Sequence, residues 1–467
     1  VLENGKWVYF KNPTPGEPNT GQSYEGFVRD PVFDPPRGFY NGEEPVTVTI
    51  TVETPGAEIY YTLDASDPSP SRGELYTGPL TLQGTPRRPA VTLRAIAVCE
   101  GMLPSKVVTH TYIFLDQVPK QTRFVDFWPT TWRNHPQADY EMDPEIVSKP
   151  AYAEDLARGL RELPSVSIVT DLDNLMGPRG IYVNAPQSGV NWERPASLEI
   201  IYPDGRNIQA NCGLRIQGGA SRQPQKSPKH SFRVLFKGIY GPGRLRFPLF
   251  PDSSVSSFDT LIFRANFNNS WIHWNGQQRS RAQHIRDQWA RDIQLAMGHA
   301  SSHGIFVHLY LDGLYWGMYN LVERPSRAFS ASNFGGNKDD YAVLNSGEIK
   351  EVNPGTPLYA RAYAAWQEVI RRASKDLRQE ANYRALSEML DIVGLIDYML
   401  INFYGANGDW PTHNWYATYR FDPPGVWRFF CWDTERILEG PTQNKINVSE
   451  GNSPAFFYAR LKVNPQF

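Results

Sequence analysis

The spacing of apolar residues changes along the chain, and this change most limits the folds open to it. From Val46 to Val52, valine and isoleucine alternate with threonine, which is the pattern of a strand with one buried face. Further strand-like segments continue to Val322, whereas after Gly335 the apolar residues recur at helical spacing. Strands first and helices later predict an α+β fold.

The length and charge of the chain narrow the function classes. A chain of 467 residues predicts two or three domains. Its 47 basic and 49 acidic residues give a net charge of -2, so nucleic acid is not an expected partner. No apolar run approaches the roughly eighteen residues of a membrane helix, so no transmembrane segment is expected in this chain.

The cysteines, the composition and the first residue bear on the cellular compartment in which the protein works. Cys99, Cys212 and Cys431 lie far apart and form no CxxC pair, which argues against a zinc or redox site and favours buried thiols. The 38 prolines, 37 glycines and 24 tyrosines are typical of a loop-rich extracellular β protein. The chain begins at Val1 rather than Met, which suggests a processed or trimmed piece of a longer protein.

Short strand signals separated by turns predict a small β-sandwich over residues 30–115. Three of its segments, AEIYYTLDASDPSPSRGELYTGPL, TLRAIAV and THTYIF, resemble the immunoglobulin-like module at the C-terminus of chitobiases. Ala65 departs from that family, which usually has glycine there. The module is structural in that family, so no active site is expected in it.

Composition and residue patterns indicate the remaining domain boundaries. Residues 1–29 resemble the end of a lamin-tail-type domain followed by a proline-rich linker. Residues 116–162 read as an irregular, aromatic-rich connector, and residues 163–467 as the main domain. Long connectors are usually held against a neighbouring domain, so we expect this one to pack on the main domain.

The most informative segment is Asn407–Tyr416, NGDWPTHNWY, which follows a predicted helix. Asp409 stands five positions before Asn414, a spacing that protein kinases use for the aspartate that accepts the substrate hydroxyl proton and the asparagine that holds a metal ion. The strand that ends at Cys431 then delivers Asp433, where kinases present a second metal-holding carboxylate. Taken singly, Asp409 could cap a turn and Asp433 could be an ordinary acid at the end of a strand. The order of the two aspartates after a helical region favours a catalytic role instead.

A lysine upstream could contact phosphates. Lys229 lies in PKHSFR, after the segment GLRIQGGASR, and a flexible ammonium on a strand can follow a moving anion. A solvated cation is the alternative for Lys229, and nearby Lys226 is expected to be one. The motifs GxxxxGK[ST], HExxH and GxSxG are absent, which disfavours phosphate-loop ATPases, zincins and lipase-type hydrolases.

Six segments together resemble the CotH (spore coat protein H) kinase family, in order, from about Leu163 to the C-terminus. They are GLRIQGGASR, PKHSF, RDQWARDI, GLYWGMYNLVERP, NGDWPTHNWYATYR and WRFFCWDTE. The resemblance implies a two-lobed atypical protein-kinase-like domain in a secreted or surface-located bacterial protein. It implies ATP with Mg²⁺ or Mn²⁺ as cofactors and a protein substrate, a Ser-rich surface or coat protein.

The resemblance also implies roles for single residues. Asp409 and Lys229 would be catalytic, and Asn414 and Asp433 would hold the metal. The expected cofactor-binding residues are Lys229, Arg215, Glu323 and Arg286.

Several departures from the family pattern bear on activity. Gln217 stands where many members have arginine, and Gly408 replaces the arginine of His-Arg-Asp. Thr434-Glu435 follows Asp433 where an Asp-Phe-Gly or a second aspartate is expected. No Gly-rich loop of the eukaryotic kind is evident, and the chain stops soon after Asp433, so part of the second lobe is expected to be missing.

Two hypotheses therefore stay open. The first is a working extracytoplasmic Ser/Thr kinase, and the second is a catalytically inactive, kinase-like structural or adhesion protein of the cell surface. A carbohydrate-binding accessory protein is a third, which rests only on the chitobiase-like module.

Overall fold

The computed structural model describes the chain apart from residues 1, 4, 5, 12, 13, 15, 20, 132–137 and 269. The chain divides into two compact units. The first comprises Val1–Ile216, Lys237–Pro242 and Phe306–Tyr319, and the second comprises Gln217–Phe236, Gly243–Ile305 and Asn320–Phe467. Several residues of the predicted lamin-tail end and linker lie outside the described residues, and that assignment stays a prediction.

Strands dominate the first part of the chain and helices the last, which confirms the α+β class. The strands are β1 (Leu2–Glu3), β2 (Lys6–Trp7), β3 (Tyr9–Phe10), β4 (Ser23–Tyr24), β5 (Val32–Asp34), β6 (Gly38–Tyr40), β7 (Val46–Thr51), β8 (Glu58–Thr62), β9 (Glu74–Leu75), β10 (Leu80–Leu82), β11 (Ala90–Val98), β12 (Val108–Phe114), β13 (Ser165–Val169), β14 (Arg194–Ile201), β15 (Asn207–Gln217), β16 (Ser231–Leu235), β17 (Leu245–Arg246), β18 (Ser257–Phe258), β19 (Thr260–Arg264), β20 (Gly304–Leu311), β21 (Leu314–Glu323), β22 (Tyr341–Asn345), β23 (Glu348–Ile349), β24 (Trp415–Arg420) and β25 (Arg428–Cys431). The helices are α1 (Pro144–Val147), α2 (Pro150–Glu162), α3 (Leu172–Met176), α4 (Gly276–Arg279), α5 (Arg286–Ala296), α6 (Arg327–Phe334), α7 (Pro357–Ala373), α8 (Glu380–Ser387), α9 (Ile392–Tyr404) and α10 (Pro454–Leu461). Among the described residues, no helix combines the length and the apolar character needed to cross a bilayer.

In the first unit, two sheets form the predicted sandwich. One has the order β10-β7-β5 and the other the order β6-β12-β11-β8-β9. The alternation in β7 holds, since Val48 and Ile50 are buried and Thr47 and Thr49 are exposed. These apolar residues join a core that includes Leu93 of β11, so the period-two pattern gave the buried face correctly.

The rest of the first unit continues from the sandwich. Strand β13 pairs antiparallel with β14 and parallel with β20. A shared apolar cluster contains Ala90 and Ile113 of the sandwich, Leu160 of α2, Ile201 of β14 and Tyr310 of β20. The sandwich and these strands are therefore joined by a common core.

The connector is only partly irregular. Its last third is helix α2, which starts at Pro150; a proline in the first helical position begins a helix rather than breaking it. The predicted packing of the connector is confirmed, because Trp128 is buried with its ring 5.6 Å from Tyr140 and 5.3 Å from Trp316.

A buried ion pair also links the sandwich to β14. Glu199 of β14 is fully buried, and its carboxylate lies 3.3 Å from Arg37 Nε. The Thr111 backbone N–H donates to Glu199 Oε1 at 3.1 Å, and the Thr111 hydroxyl donates to Oε2. Burial raises the pKa of Glu199, and the positive charge of Arg37 opposes that shift. Removal of Arg37 would leave this carboxylate buried without its counter-charge.

Arg37→Met should therefore lower the free energy of unfolding by about 3–5 kcal/mol, because breaking a buried pair strands a charge. The double variant Arg37→Met/Glu199→Gln should recover much of this loss, since no buried charge remains. Urea unfolding followed by tryptophan fluorescence measures both. Arg29→Met, which removes an exposed ion pair with Glu53, is the control and should cost less than about 1 kcal/mol. Equal losses in Arg37→Met and the control would contradict this view of the pair.

In the second unit, helices cover a four-stranded sheet of order β23-β22-β24-β25. Trp366 of α7 lies at the centre of the core, with its ring 6.0 Å from Trp415 and 4.9 Å from Trp427. The core extends to Phe457 of α10 and Leu395 of α9. A second sheet in this unit pairs β19 with both β16 and β21.

The sequence places Ile285, Trp289, Ile293 and Met297 at i, i+4 spacing, which predicts a core-facing helix, and helix α5 lies there. The prediction holds for the middle of that face, where Trp289 and Ile293 are partly buried against the core, but it is wrong at both ends. Ile285 and Met297, at the two ends of the expected apolar stripe, are 58% and 40% exposed. The buried side also carries Asp287, Arg291 and Gln294. These polar groups are buried because each has partners; Gln294, for example, exchanges hydrogen bonds of 2.8 and 3.0 Å with the backbone of β25.

Candidate functional site

A cavity of about 430 Å³ lies within the second unit. Asp409, Asn414 and Asp433 all line it, so three of the residues selected from sequence share one site. Arg264 and Glu435 also line it, and sequence reasoning had not selected either as a ligand.

The loop that carries Asp409 is anchored in the core by two tryptophans. The Trp410 indole donates to the Tyr398 hydroxyl at 2.8 Å, and the Trp415 indole donates to the Pro411 carbonyl at 2.9 Å. Both indoles are buried, so the loop between them is held at its ends.

Within this loop, Asn414 orients Asp409. The Asn414 amide nitrogen donates to the Asp409 carboxylate at 3.0 Å and to its backbone carbonyl at 2.9 Å. Asn414 adopts a left-handed backbone with φ of 66°, which turns its side chain back toward Asp409. Its carbonyl oxygen Oδ1 is then the atom that remains to face a cation.

A second loop brings Asp433 to the same cavity. Gly408 N–H donates to the Arg436 carbonyl at 2.9 Å, and Leu438 N–H donates to the Gly405 carbonyl at 2.7 Å. These two backbone bonds hold the segment after β25 beside the segment before Asp409. Asp433 also has a left-handed backbone, with φ of 54°, and its side chain is 39% exposed.

Arg264, at the end of β19, binds three carboxylates at once. Its guanidinium lies 2.5 Å from Asp433, 2.6 Å from Glu435 and 3.2 Å from Asp287. The guanidinium also lies over the Trp432 ring, 5.0 Å from its centroid. Arg264 therefore ties the β19 sheet, helix α5 and the loop after β25 to one another.

Asp287 completes this network from the first turn of α5. It accepts from the Thr434 backbone N–H at 2.8 Å and from the Thr434 hydroxyl at 2.9 Å, and it lies 3.3 Å from Arg291. Two arginines thus face three carboxylates in a buried setting, which leaves one excess negative charge when all are ionised.

That imbalance shows in the pKa values of the acids. Burial raises the pKa of Glu435 to about 7, and the charges of Asp433 and Asp287 add to the shift against Arg264. Burial also raises the pKa of Asp433, with Asp287 adding to it and Arg264 opposing. Burial acts on Asp287 in the same direction, but Arg264, Arg291 and the Thr434 hydrogen bonds outweigh it and lower its pKa. Asp433 and Glu435 therefore form a site that a cation would stabilise.

A glycine turn closes another side of the cavity. This side is lined by residues of the segment GLRIQGGASR, which is not a Gly-rich loop of the eukaryotic kind: Gln217, Gly218, Gly219, Ala220 and Ser221. Gly218 has a φ of 121°, and a Cβ there would lie 2.1 Å from the Ser221 hydroxyl oxygen. Only glycine fits this turn, which exposes backbone to the cavity.

Neither Lys229 nor Arg215 lines the cavity. Lys229 is half-buried, and its carbonyl accepts from the Ser227 hydroxyl at 3.0 Å; it does not line the cavity, whereas Ser231 does. Arg215 belongs to the first unit, where its guanidinium lies 2.5 Å from the buried Glu193. A nucleotide contact by Arg215 would have to compete with that ion pair. Both roles stay predictions.

Glu323 and Arg286 differ in their environments. Glu323 does not line the cavity; its carboxylate accepts from His303 backbone N–H at 3.0 Å and lies 2.8 Å from the His303 ring Nδ1. Arg286 is buried, and among the described residues neither its Nε nor its Nη1 has a hydrogen-bond partner. Unpaired guanidinium donors are costly unless an anion satisfies them. Arg286 does not line the cavity either, but its unpaired donors suit an anion, whereas Glu323 is held by His303.

A metal ion at this site would need phosphate or water oxygens in addition to protein side chains. In the part of the chain that the structure describes, no group of three or more His, Cys, Asp or Glu side chains is arranged to hold an ion alone. Mg²⁺ commonly takes one or two protein oxygens and completes its shell with phosphate and water. The residues Asp433 and Asn414, with the raised pKa of Asp433, fit that mode of binding.

The raised pKa of Glu435 predicts how stability depends on pH. A carboxyl whose pKa rises from 4.5 to about 7 on folding stabilises the fold below 4.5, and this contribution is lost as the pH rises through 7. Glu435→Gln, which stays neutral, should melt higher than the metal-free wild type above this range, on the order of a few degrees, and about equally at acid pH. Thermal melts across pH measure the difference. The same wild-type-to-variant difference at every pH would contradict it.

An aspartate and an asparagine five positions apart, a second aspartate after a strand and a glycine turn around one cavity define a protein-kinase-like domain. The family model described as CotH kinase protein matches residues 214–465, and the chain belongs to this family. The model of the chitobiase/beta-hexosaminidase C-terminal domain matches residues 35–109, which agrees with the resemblance found in the sequence. No curated protein matches the chain.

Proposed function

We propose that this protein is an atypical protein kinase that transfers the γ-phosphate of ATP to a Ser or Thr hydroxyl of a protein outside the cytoplasm. The observation that carries the proposal is the meeting of Asp409, Asn414 and Asp433 in one cavity of about 430 Å³. Its volume lies within the range of small-molecule and cofactor sites. The setting outside the cytoplasm rests on the chitobiase-like module at residues 35–109.

In this proposal, Asp433 and Asn414 hold a Mg²⁺ or Mn²⁺ ion through one carboxylate and one amide oxygen. Bound there with ATP, the metal would neutralise charge on the phosphates. Arg264 keeps Asp433 in place, because its guanidinium lies 2.5 Å from Oδ1 of that carboxylate.

The phosphates have a basic region available. The buried Arg286 donors are oriented without a protein acceptor among the described residues. Close by along the network, Arg281 and Arg436 both pair with Glu439, at 3.4 and 3.1 Å. The hydrogen bonds of Arg436 to Glu439 raise the pKa of Arg436 against the effect of burial, and the charges of Glu439 and then Asp409 add to this shift. These three arginines do not line the cavity, but they outnumber Glu439 and Asp409, so the region carries a net positive charge that suits an anionic leaving group.

Asp409 would act on the acceptor. Its carboxylate, oriented by Asn414, can hold a substrate hydroxyl by a hydrogen bond and take its proton as the hydroxyl attacks phosphorus. Asn414 thus serves two groups, with its nitrogen on Asp409 and its oxygen toward the metal.

Two substitutions separate these roles. Asp433→Asn should weaken metal-dependent ATP binding by at least about tenfold, because it removes the charge that balances the cation. Asp409→Asn should keep ATP binding and lower transfer by about 10²- to 10⁴-fold, because it loses the proton acceptor. Titration with a fluorescent ATP analogue and transfer of labelled phosphate to a Ser-rich peptide, and to the protein itself, measure the two steps.

Asp376→Asn is the matched control, since Asp376 is an exposed acid whose ion pair, among the described residues, is with Arg378 two positions along the chain. It should change neither step. Loss of ATP binding in Asp409→Asn to the same degree as in Asp433→Asn would contradict the division of roles.

One observation favours the second candidate, an inactive kinase-like surface protein. Arg264 lies 2.5 Å from Asp433 and neutralises part of its charge, which weakens the attraction for a cation. Wild-type protein that binds no nucleotide with either Mg²⁺ or Mn²⁺ would make this candidate the better one.

A further inference from the structure

A second cavity, of about 520 Å³, lies in the second unit on another side of the Asp409–Asn414 loop. Its walls are the turn and strand at residues 346–349, the side of α7 with Tyr359, Tyr363 and Gln367, and Thr412 of the loop itself. We call it the α7 groove. None of the roles assigned above to ATP, metal or Asp409 uses it.

The α7 groove is joined to the Asp409–Asn414 loop by hydrogen bonds. The Asn414 backbone N–H donates to the Ser346 hydroxyl at 3.1 Å, and the Ser346 N–H donates to the Trp415 carbonyl at 3.0 Å. Thr412 lies three residues from Asp409, a span of at most about 11 Å even in an extended chain. A molecule in the groove that reaches Thr412 is therefore within about three extended residues of Asp409.

The groove has a sheet edge along one wall. Strand β23 is the edge of its sheet, and Asn345 pairs with Glu348 across the turn. Lys350 N–H donates to the Val343 carbonyl at 2.8 Å, so the bonds to β22 come from the residues on either side of Ile349. By the alternation of an antiparallel ladder, the N–H and C=O of Ile349 point away from β22. An extended polypeptide can pair with such an edge.

The side chains of the groove match a neutral polypeptide. Glu348 is the one charged side chain that lines it, and Lys350 pairs with it at 2.5 Å. Tyr363 is 54% exposed and offers an aromatic face beside Gln367. Trp366 also lines the groove, but it is only 4% exposed and so offers little stacking surface to a sugar ring.

We propose that the α7 groove binds an extended, uncharged or weakly basic segment of the acceptor protein and leads its Ser or Thr hydroxyl to Asp409. The naming of this segment as an acceptor rests on the proposed kinase function. The binding of a polypeptide by the edge of β23 and by Tyr363 does not.

The test is photo-crosslinking with a degenerate peptide library that has a fixed central serine and a benzophenone side chain. Crosslinks mapped by mass spectrometry should fall on residues 346–349 and on Tyr359 or Tyr363. Tyr363→Ala, and Gln367→Trp, which fills the groove from an exposed helical position, should each reduce them about tenfold. Tyr404→Ala is the matched control, because Tyr404 is a 75% exposed tyrosine of α9 that does not line the groove.

Each outcome of the crosslinking experiment either supports or overturns the proposed peptide site. Crosslinks that fall elsewhere, that are absent, or that persist in both groove variants would overturn the proposal, as would displacement of the peptides by an oligosaccharide mixture. If the wild type transfers phosphate, the KM for peptide should rise about tenfold in Tyr363→Ala while the KM for ATP stays unchanged. Groove crosslinks in a protein that binds no nucleotide would support the polypeptide site and refute the kinase.

Discussion

The contact of Arg264 with three carboxylates is the interaction on which the rest of the site depends. Asp287, Asp433 and Glu435 come from a helix and from the loop after a strand, and they would repel one another without a shared cation. One buried guanidinium holds them within about hydrogen-bonding distance because its planar fork can serve several oxygens. The raised pKa of Glu435 shows that this compensation is incomplete. The site is therefore arranged to accept further positive charge.

The two loops of the site are positioned by backbone bonds and by aromatic anchors. The hydrogen bonds Gly408–Arg436 and Leu438–Gly405 hold the loops side by side, and Trp410 and Trp415 fix the first loop to the core. Loops that carry function usually need such a rigid support. In this protein the support is the β22-β24-β25 sheet together with α9, which the C-terminal core surrounds.

The sequence was sufficient for the sandwich and for part of the site. Alternation in β7 gave the buried face, and the spacing of Asp409, Asn414 and Asp433 gave three residues that share the cavity. The role of Arg264 could not be predicted from the sequence, because a single arginine at the end of an apolar strand belongs to no recognisable motif. The three acids that it contacts lie 23 or more residues away along the chain. Sequence reasoning also misread the two ends of the α5 stripe, Ile285 and Met297, since hydrophobic periodicity assumes that apolar groups are buried, and here charged groups of the site are buried as well. The segment that carries Gly218 was singled out from the sequence, but its turn at the cavity was not predicted, because the shape of the turn depends on a local close approach to Ser221.

In the proposed site, Asp433 and Asn414 hold a metal ion in the cavity that Asp409 lines. Crystals soaked with Mn²⁺ and a non-hydrolysable ATP analogue test it most directly, because manganese gives an anomalous signal. We predict a peak at roughly 2.2 Å from a carboxylate oxygen of Asp433 and from Asn414 Oδ1, with the nucleotide against the turn at residues 217–221. Nucleotide and manganese bound away from these residues, or an Asp433 that keeps both oxygens on protein partners while the nucleotide is bound, would contradict it.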